Sequence, residues 1–537
     1  MDCRALLPHQ LPHTSKLFRD YVENFSRLEP FYEHTPTLKS VLSYARRLEF
    51  PEDRRQEVAS ILRAQNLLYG SGEAAEENLK RLEQGAVAVV SGQQVGLFGG
   101  PSYAFYKALS AIEGARKLSG KGIPAVAIFW MATEDHDVDE VRHTTWFADG
   151  QLLSLALPKA AEDSQPVGRI RLGNAVDDLV REATSRLAGP DGANFAQVLS
   201  EGYTPVATYS SAFARLFSSI FADYGLILLD PLDERLHRIA APVLTAALAE
   251  RDSLNESLLS RGKDLDQAGY EPQVNVTSRS TLLFSMEQGR REVITAANGG
   301  FSCGSRTAPR DEWFDRVDAQ PELFSPNALL RPVMQDYLLP TVAYFGGPAE
   351  IAYFAQSQVL YQKLLGYMPV LLPRADFTLV DPKAVRLLKK YKLKVEHVWC
   401  GSQCLRNRMY NSNVPQELAR EFDLNLRHIE KNIKRLHKAI AKIDPTIQGT
   451  IARAEKRINY QVEKLRHKTG SSLDRHEKII EQHQQFLENL LCPQKGLQSR
   501  DLCFLPFLAR WGRGGLDELL KLVSLKKPGL HYIVPIP

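Results

Sequence analysis

The sequence predicts a parallel α/β fold of the doubly wound kind, carrying a long helical hairpin in its C-terminal third. Three observations lead there: five short, wholly apolar runs, helical patterns after most of them, and one late stretch whose apolar residues alternate four and three apart. Strands that are apolar throughout are covered on both faces, as in a parallel sheet flanked by helices.

The elements follow in order. Apolar positions recur at three and four between Leu17 and Gln84, as in Phe18, Tyr21, Val22 and Phe25, so residues 1–85 form a helical preface. A core over 86–395 then holds the runs VAVVS, VAIFW, LILLD, VAYFGG and VLLPR as strands. Helices are predicted over Tyr103 to Leu118, Leu232 to Leu248, Ala349 to Leu365 and Pro382 to Tyr391. Insertions interrupt this core at about 150–225, where LLSLAL reads as a strand, and about 250–325, where TLLFSM and REVITA read as a small antiparallel addition.

Residues 396–491 read as a coiled-coil hairpin. Phe422, Leu426, Ile429, Ile433, Leu436, Ile440 and Ile443 form the seam of one helix. Asp444 and Pro445 supply an N-cap and a first-turn proline for a second, with Ile451, Ile458, Leu465, Leu473, Ile480 and Leu487 along it. Thr469, Ser472 and His476 weaken the seam midway. The apolar LCFLPFLARWG and HYIVPI of 492–537 are too short to fold alone and are expected to pack back on the core.

With 537 residues, 44% of them hydrophobic and 24% charged, the chain has an ordinary globular balance, so global disorder is excluded. A net charge of +4 on 67 basic and 63 acidic residues supplies no general field for a polyanion, and nucleic acid is not an expected partner. The stretch RHIEKNIKRLHK reads as a solvated coiled-coil face. No export signal or membrane-spanning run is evident, and six sparse cysteines suit a reducing compartment, so a cytoplasmic location is expected. His397, Cys400 and Cys404 could be three zinc ligands, but no clear fourth ligand is nearby and their spacing is unusual for a structural site, so no zinc is expected and no residue is assigned as a metal ligand.

Three segments could carry chemistry. SGQQVGLFGGPSYAFYKA joins the first strand to a helix and offers Ser91, Gly92, Gln93, Gln94, Gly99, Gly100, Tyr103 and Lys107. Its glycines permit close backbone approach, and the helix N-terminus beyond Pro101 could face a phosphate or carboxylate. It matches neither a Walker loop nor G-x-G-x-x-G, and a tight strand-to-helix turn is the plainer reading. TEDHDVDEVRH gathers Glu134, Asp135, His136 and Asp137 at the carboxyl end of a strand, where parallel sheets place ligands. These could exchange a proton, hold an amine or bind Mg²⁺, against the plainer reading of a solvated capping turn. The third segment repeats strand, Gly-Gly-Pro, helix at Gly346, Gly347 and Pro348, with Arg331 and Gln335 before it and Glu350 after it. Arg374 and Asp376 follow, as carboxylate-binding groups or as an internal salt bridge.

At SGQQVGLFGGPSYAFYKA, FWMATEDHDVDEV, YFGGPAEIAYF, KIDPTIQGT and LCFLPFLARWG, the chain resembles the bacillithiol-biosynthesis cysteine-adding enzymes, the BshC family. That resemblance implies a Rossmann-like core related to class I aminoacyl-tRNA synthetases, connecting insertions, and a C-terminal antiparallel coiled coil that forms a homodimer. It also implies addition of L-cysteine to the amine of glucosaminyl-malate. Amide formation from a free carboxylate requires activation, so ATP with Mg²⁺ is implied as well. The signatures HIGH and KMSKS are absent, so synthetase roles do not transfer residue by residue. Two rival readings are an enzyme transferring nucleotidyl or aminoacyl groups, and a nucleotide-binding coiled-coil scaffold.

Overall fold

In a computed structural model, residues 3–159, 165–287, 289–412, 416–440, 448–473 and 477–537 are described. The five apolar runs become five core strands: β1 (Val87–Gln93), β2 (Ala125–Met131), β3 (Ile227–Leu229), β4 (Thr341–Gly346) and β5 (Val370–Pro373). They form one sheet in the order β5-β4-β1-β2-β3, with every neighbouring pair parallel. The chain steps from β1 outward through β2 and β3, then returns to the other side of β1 to lay down β4. A crevice therefore opens between the carboxyl ends of β1 and β4, where such sheets take ligands.

Both faces of the sheet are covered, which is why its strands are apolar at consecutive positions. Val87 and Val89 of β1, with Ala127 and Phe129 of β2, join one buried cluster that includes Phe105, Leu109 and Ile112 of helix α1 (Ser102–Ser119). Ala88 and Val90, with Val126 and Ile128, join the opposite cluster. That second cluster includes Leu236 and Leu244 of α2 (Glu234–Ala249), and Ile351 and Phe354 of α3 (Pro348–Leu364). The fourth predicted helix spans Pro382–Lys390. The preface is helical at Lys16–Glu23, Leu38–Ala45, Glu52–Tyr69 and Glu73–Glu83.

The first insertion contains the hairpin His143–Ala148 with Gln151–Ala156, followed by three helices. The second holds an antiparallel sheet in which Ser280–Glu287 pairs with Arg290–Ala297 on one side and Phe324–Pro326 on the other. The C-terminal segment does return to the core. His531–Pro535 pairs parallel with Asp376–Val380 and antiparallel with Arg4–Leu6, a three-stranded sheet whose N-terminal strand the helical preface did not anticipate.

Helices Gln416–Ile440 and Gln448–Leu473 pack as an antiparallel pair, with Arg466 bonding Asp423 at 2.9 Å. The seam expected on the second helix is corrected. The partly buried positions are Ile451, Glu455, Asn459, Val462, Arg466 and, as expected, Thr469, while Ile458 and Leu465 face outward. On the first helix Ile433 is buried and Leu436 is exposed. Ile443, Asp444, Pro445 and His476 lie outside the described residues, as do the side chains of Ser472 and Leu473. The helix Glu477–Leu491 docks on the core through Ile480, Leu487, Leu490 and Leu491.

The cysteine reading needs one correction. Cys400 and Cys404 are joined by a disulfide, while His397 accepts a hydrogen bond at Nδ1 from the Lys394 N–H. His397 and Cys400 belong to the turn Val395–Cys400, and the disulfide ties that turn to Cys404 in the first turn of helix Ser402–Ser412.

Candidate active site

A cavity of about 780 Å³ opens at the carboxyl ends of β1, β2 and β4 and is roofed by the inserted antiparallel sheet. Its walls bring together Gly92, Gln93, Gln94, Tyr103, Lys107, Glu134, Asp135, His136, Arg331, Gly347, Glu350 and Arg374, drawn from all three chemistry-bearing segments.

The crevice between β1 and β4 is braced by charge. Lys107 reaches from α1 to donate to Gly92 O at 2.7 Å and Gln93 Oε1 at 2.8 Å, and it meets Glu350 Oε2 at 2.5 Å. An ammonium has three donors, and all three are used. Burial pushes the Lys107 ammonium downward, with Glu350 opposing that shift. Burial also acts to raise Glu350, but Lys107, the Gly347 N–H and the Tyr344 hydroxyl together hold its carboxyl below the usual range. Gly92 is needed here, because a Cβ would lie 2.5 Å from Trp130 O on the neighbouring strand.

The two Gly-Gly-Pro entrances differ. At the first, Ser102 donates to Leu502 O through both its N–H at 2.8 Å and its hydroxyl at 2.6 Å, and Pro101 bridges Cys503. The loop's own amides are committed as well: Gly96 to Gln94 O, Gly99 to Gly96 O and Gly100 to Leu97 O. The expected anion site at Gly99 and Gly100 is therefore corrected to a tight turn covered by the C-terminal segment, and neither glycine lines the cavity. At the second entrance, Gly347 and Pro348 do line it, with Glu350 capping the Gly347 N–H at 2.7 Å.

Arg374 sits beside that second entrance. One terminal nitrogen donates to Asp376 Oδ1 at 2.7 Å and to Ala375 O, whereas its buried Nε has no hydrogen-bond partner. Asp376, also bound by His531 at 3.1 Å, is held well below the usual range by Arg374 and His531 despite burial. Arg331 is more committed, donating to Gln335 Oε1 at 3.0 Å and to the Tyr353 hydroxyl at 2.9 Å. Arg500 lines the cavity from the C-terminal segment and makes no ion pair among the described residues.

Across the cavity lies the acid-imidazole group. Asp135 accepts from Gln94 at 2.6 Å and from the His136 N–H at 2.7 Å. Glu134 is buried against His237 of α2 at 3.2 Å. Asp137 takes the bland role, accepting from the Glu140 N–H at 3.1 Å as the cap of helix Val138–Val141, and it does not line the cavity. Ser91, Gln335, Gly346 and Asp376 also stand behind the wall. Ser91 donates to Phe345 O at 2.6 Å, Gln335 donates to Asp336 at 2.9 Å, and Gly346 O accepts from the Arg374 N–H at 2.9 Å.

Sequence reasoning missed Arg291, Glu140, Arg500 and His237. Glu140 lines the cavity, and burial followed by Asp135 and Asp137 pushes its carboxyl upward. Its signal was the D-x-x-E capping spacing from Asp137. Arg291 has no local signal, since it reaches the site from the inserted sheet, 155 residues after His136.

No group of three or more His, Cys, Asp or Glu side chains able to hold a metal ion occurs among the described residues. The orphaned Arg374 Nε and Arg500 do fit anionic groups, carboxylate or phosphate.

Two family models cover the chain. Residues 1–375 match the Bacillithiol biosynthesis BshC, N-terminal Rossmann-like domain, and residues 377–535 match the Bacillithiol biosynthesis BshC, C-terminal coiled-coil domain. Among curated relatives, a protein of Koribacter versatilis is 39% identical over 97% of both chains. One of Solibacter usitatus is 37% identical over 95% of this chain and 96% of its own. One of Staphylococcus carnosus is 29% identical over 95% and 96%. Each carries the name "Putative cysteine ligase BshC". With both domains matched in order and the Rossmann-like sheet and coiled coil in place, the chain belongs to the BshC family of bacillithiol biosynthesis.

Proposed function

We propose that this protein is an ATP-dependent ligase that joins the carboxyl group of L-cysteine to the amine of glucosaminyl-malate, forming a carbon-nitrogen bond in the last step of bacillithiol biosynthesis in the cytoplasm. The observation that carries this reading is the division of one cavity into a cationic corner, Arg374 and Arg500, and an acid-imidazole wall, Glu134 to His136 with Glu140.

The malate carboxylates go to Arg374, whose Nε lacks a partner and whose guanidinium suits a planar carboxylate. Arg500 takes the phosphates. ATP, when bound, supplies the leaving group that a free carboxylate lacks, and Mg²⁺ arrives with the triphosphate, which provides most of its ligands. Glu140 accepts the proton that the sugar ammonium must lose before its nitrogen can attack. Its partly desolvated carboxyl, raised from the ordinary range, suits that task.

A homodimer through the coiled coil is part of the proposal. Leu436 and Leu465 are each 59% exposed and Ile458 is 41% exposed, along two helices that leave these residues without cover from each other. A second copy would supply that cover.

The deciding assay combines purified protein, Mg-ATP, L-cysteine and glucosaminyl-malate, read by mass spectrometry. The expected product has the mass of both acceptor and amino acid minus water, with one nucleotide cleaved per product. AMP with pyrophosphate identifies activation through an adenylate, and ADP with phosphate through an acyl phosphate. Product without nucleotide consumption overturns the ligase reading, as does absence of product from folded, dimeric protein.

A further inference from the structure

Arg291 enters the cavity from the inserted sheet and is almost wholly buried, its guanidinium stacked 3.8 Å over the Phe284 ring. Three contacts fix its plane: Nε donates to Ser325 Oγ at 2.8 Å, one terminal nitrogen donates to Pro326 O at 3.0 Å, and the other stands 3.0 Å from His136 Nδ1. The last contact has only one chemical reading. A guanidinium carries donors and no acceptor, so His136 Nδ1 accepts. A proton on Nδ1 would oppose the guanidinium hydrogen, and its alternative acceptor, Asp135 Oδ1, lies 3.6 Å away and already takes the His136 backbone N–H. The neutral ring therefore carries its proton on Nε2. His136 lines the cavity, and Nε2 makes no hydrogen bond among the described residues.

We propose that Arg291 is a positioning residue that fixes His136 in the Nε2–H tautomer, making His136 a hydrogen-bond donor to the oxygen of the reacting carboxyl group and leaving proton acceptance to Glu140. This deepens the ligase reading and rests on it for the identity of that oxygen. As the amine nitrogen forms its bond to the carboxyl carbon, the electron pair of the C=O bond moves onto oxygen. The Nε2–H stabilises that charge without transferring its proton. The pair then returns as the bond to the leaving group breaks. An imidazole whose Nδ1 lone pair is engaged and whose Nε2 is protonated has no site with which to accept the ammonium proton, so the choice of tautomer decides the role.

The full-length protein labelled with ¹⁵N only at histidine tests this, with the His136 signals assigned by their loss in His136→Gln. Long-range ¹H–¹⁵N correlations are expected to show the Nε2–H pattern in the unsubstituted protein, retained in Arg291→Lys and lost to a mixture or to Nδ1–H in Arg291→Met. An Nδ1–H pattern in the unsubstituted protein overturns the proposal whether or not any variant folds. An unchanged pattern in folded Arg291→Met also overturns it. In the ligation assay, Arg291→Met is expected to lower kcat by roughly tenfold or more while KM for cysteine moves by less than about threefold. Shifted tautomer with undiminished kcat removes the donor role. The spectrum needs no turnover, so an Nε2–H pattern in a protein that makes no product separates failure of the ligase reading from failure of the tautomer assignment.

Discussion

Lys107 and Glu350 belong to the helices that leave β1 and β4, and their meeting at 2.5 Å closes the floor of the crevice at the point where the strand order reverses. Lys107 is buried and Glu350 largely so, and removing one partner leaves the other as an uncompensated charge. Lys107→Met and Glu350→Gln are each expected to destabilise the fold by about 3–5 kcal/mol, and the double variant by less than their sum. Urea unfolding of the three variants measures this. Additive losses would show that the pair is not coupled.

His136→Ala and Asp135→Asn are each expected to slow ligation at least tenfold, about 1.4 kcal/mol in the barrier, without a comparable loss of thermal stability. Full activity in the folded variants would return both residues to a capping turn.

Arg374→Gln is expected to raise KM for glucosaminyl-malate at least about tenfold with a smaller effect on kcat, because the orphaned Nε is assigned to a carboxylate present in ground and transition states alike. Arg374→Lys should not restore binding, since an ammonium cannot reproduce the guanidinium geometry. An unchanged KM in Arg374→Gln would place the malate elsewhere.

Asp336 gives a stability signature with a definite sign. Burial, against bonds from Tyr361 and Gln335, raises its carboxyl from 3.8 to about 6. The folded state therefore binds more protons than the unfolded chain between those values, so this group's contribution to stability declines as pH rises from about 4 to about 6 and is flat above. Asp336→Asn should remove that part of the slope. Denaturation midpoints of both proteins across the window test it, and identical slopes would refute it.

Intact protein at micromolar concentration is expected to scatter light as a dimer, and a variant lacking residues 416–473 as a monomer. A monomeric intact protein would leave Leu436, Ile458 and Leu465 without the proposed cover.

Much of the fold was legible because its strongest signals are local. A strand buried on both faces must be apolar at consecutive positions, and the runs containing Val89, Ile128 and Phe345 all obey this. The site was legible only where the chain itself brings residues together, as in Glu134 to His136. Arg291 was not, because a register within the inserted sheet decides whether its side chain meets His136. Gly99 and Gly100 were misread for a related reason. Their spacing permits an anion site, and only the distant Leu502 carbonyl shows that the helix end is already satisfied. On the second hairpin helix, apolar spacing picked out Ile458 and Leu465, which face outward, since it does not distinguish contact within a hairpin from contact with another chain.

The strand His531–Pro535 has a consequence for the order in which the protein acquires competence during synthesis. Arg374 is aligned by Asp376, and Asp376 is held in turn by His531, which lies 155 residues later in the chain. A nascent chain that has already emerged through β5 contains all five strands of the central sheet, yet its cationic corner still lacks the strand that sets it. Capture of an anionic substrate at Arg374 thus waits for the pairing of His531–Pro535, although every strand of the central sheet precedes it in the chain.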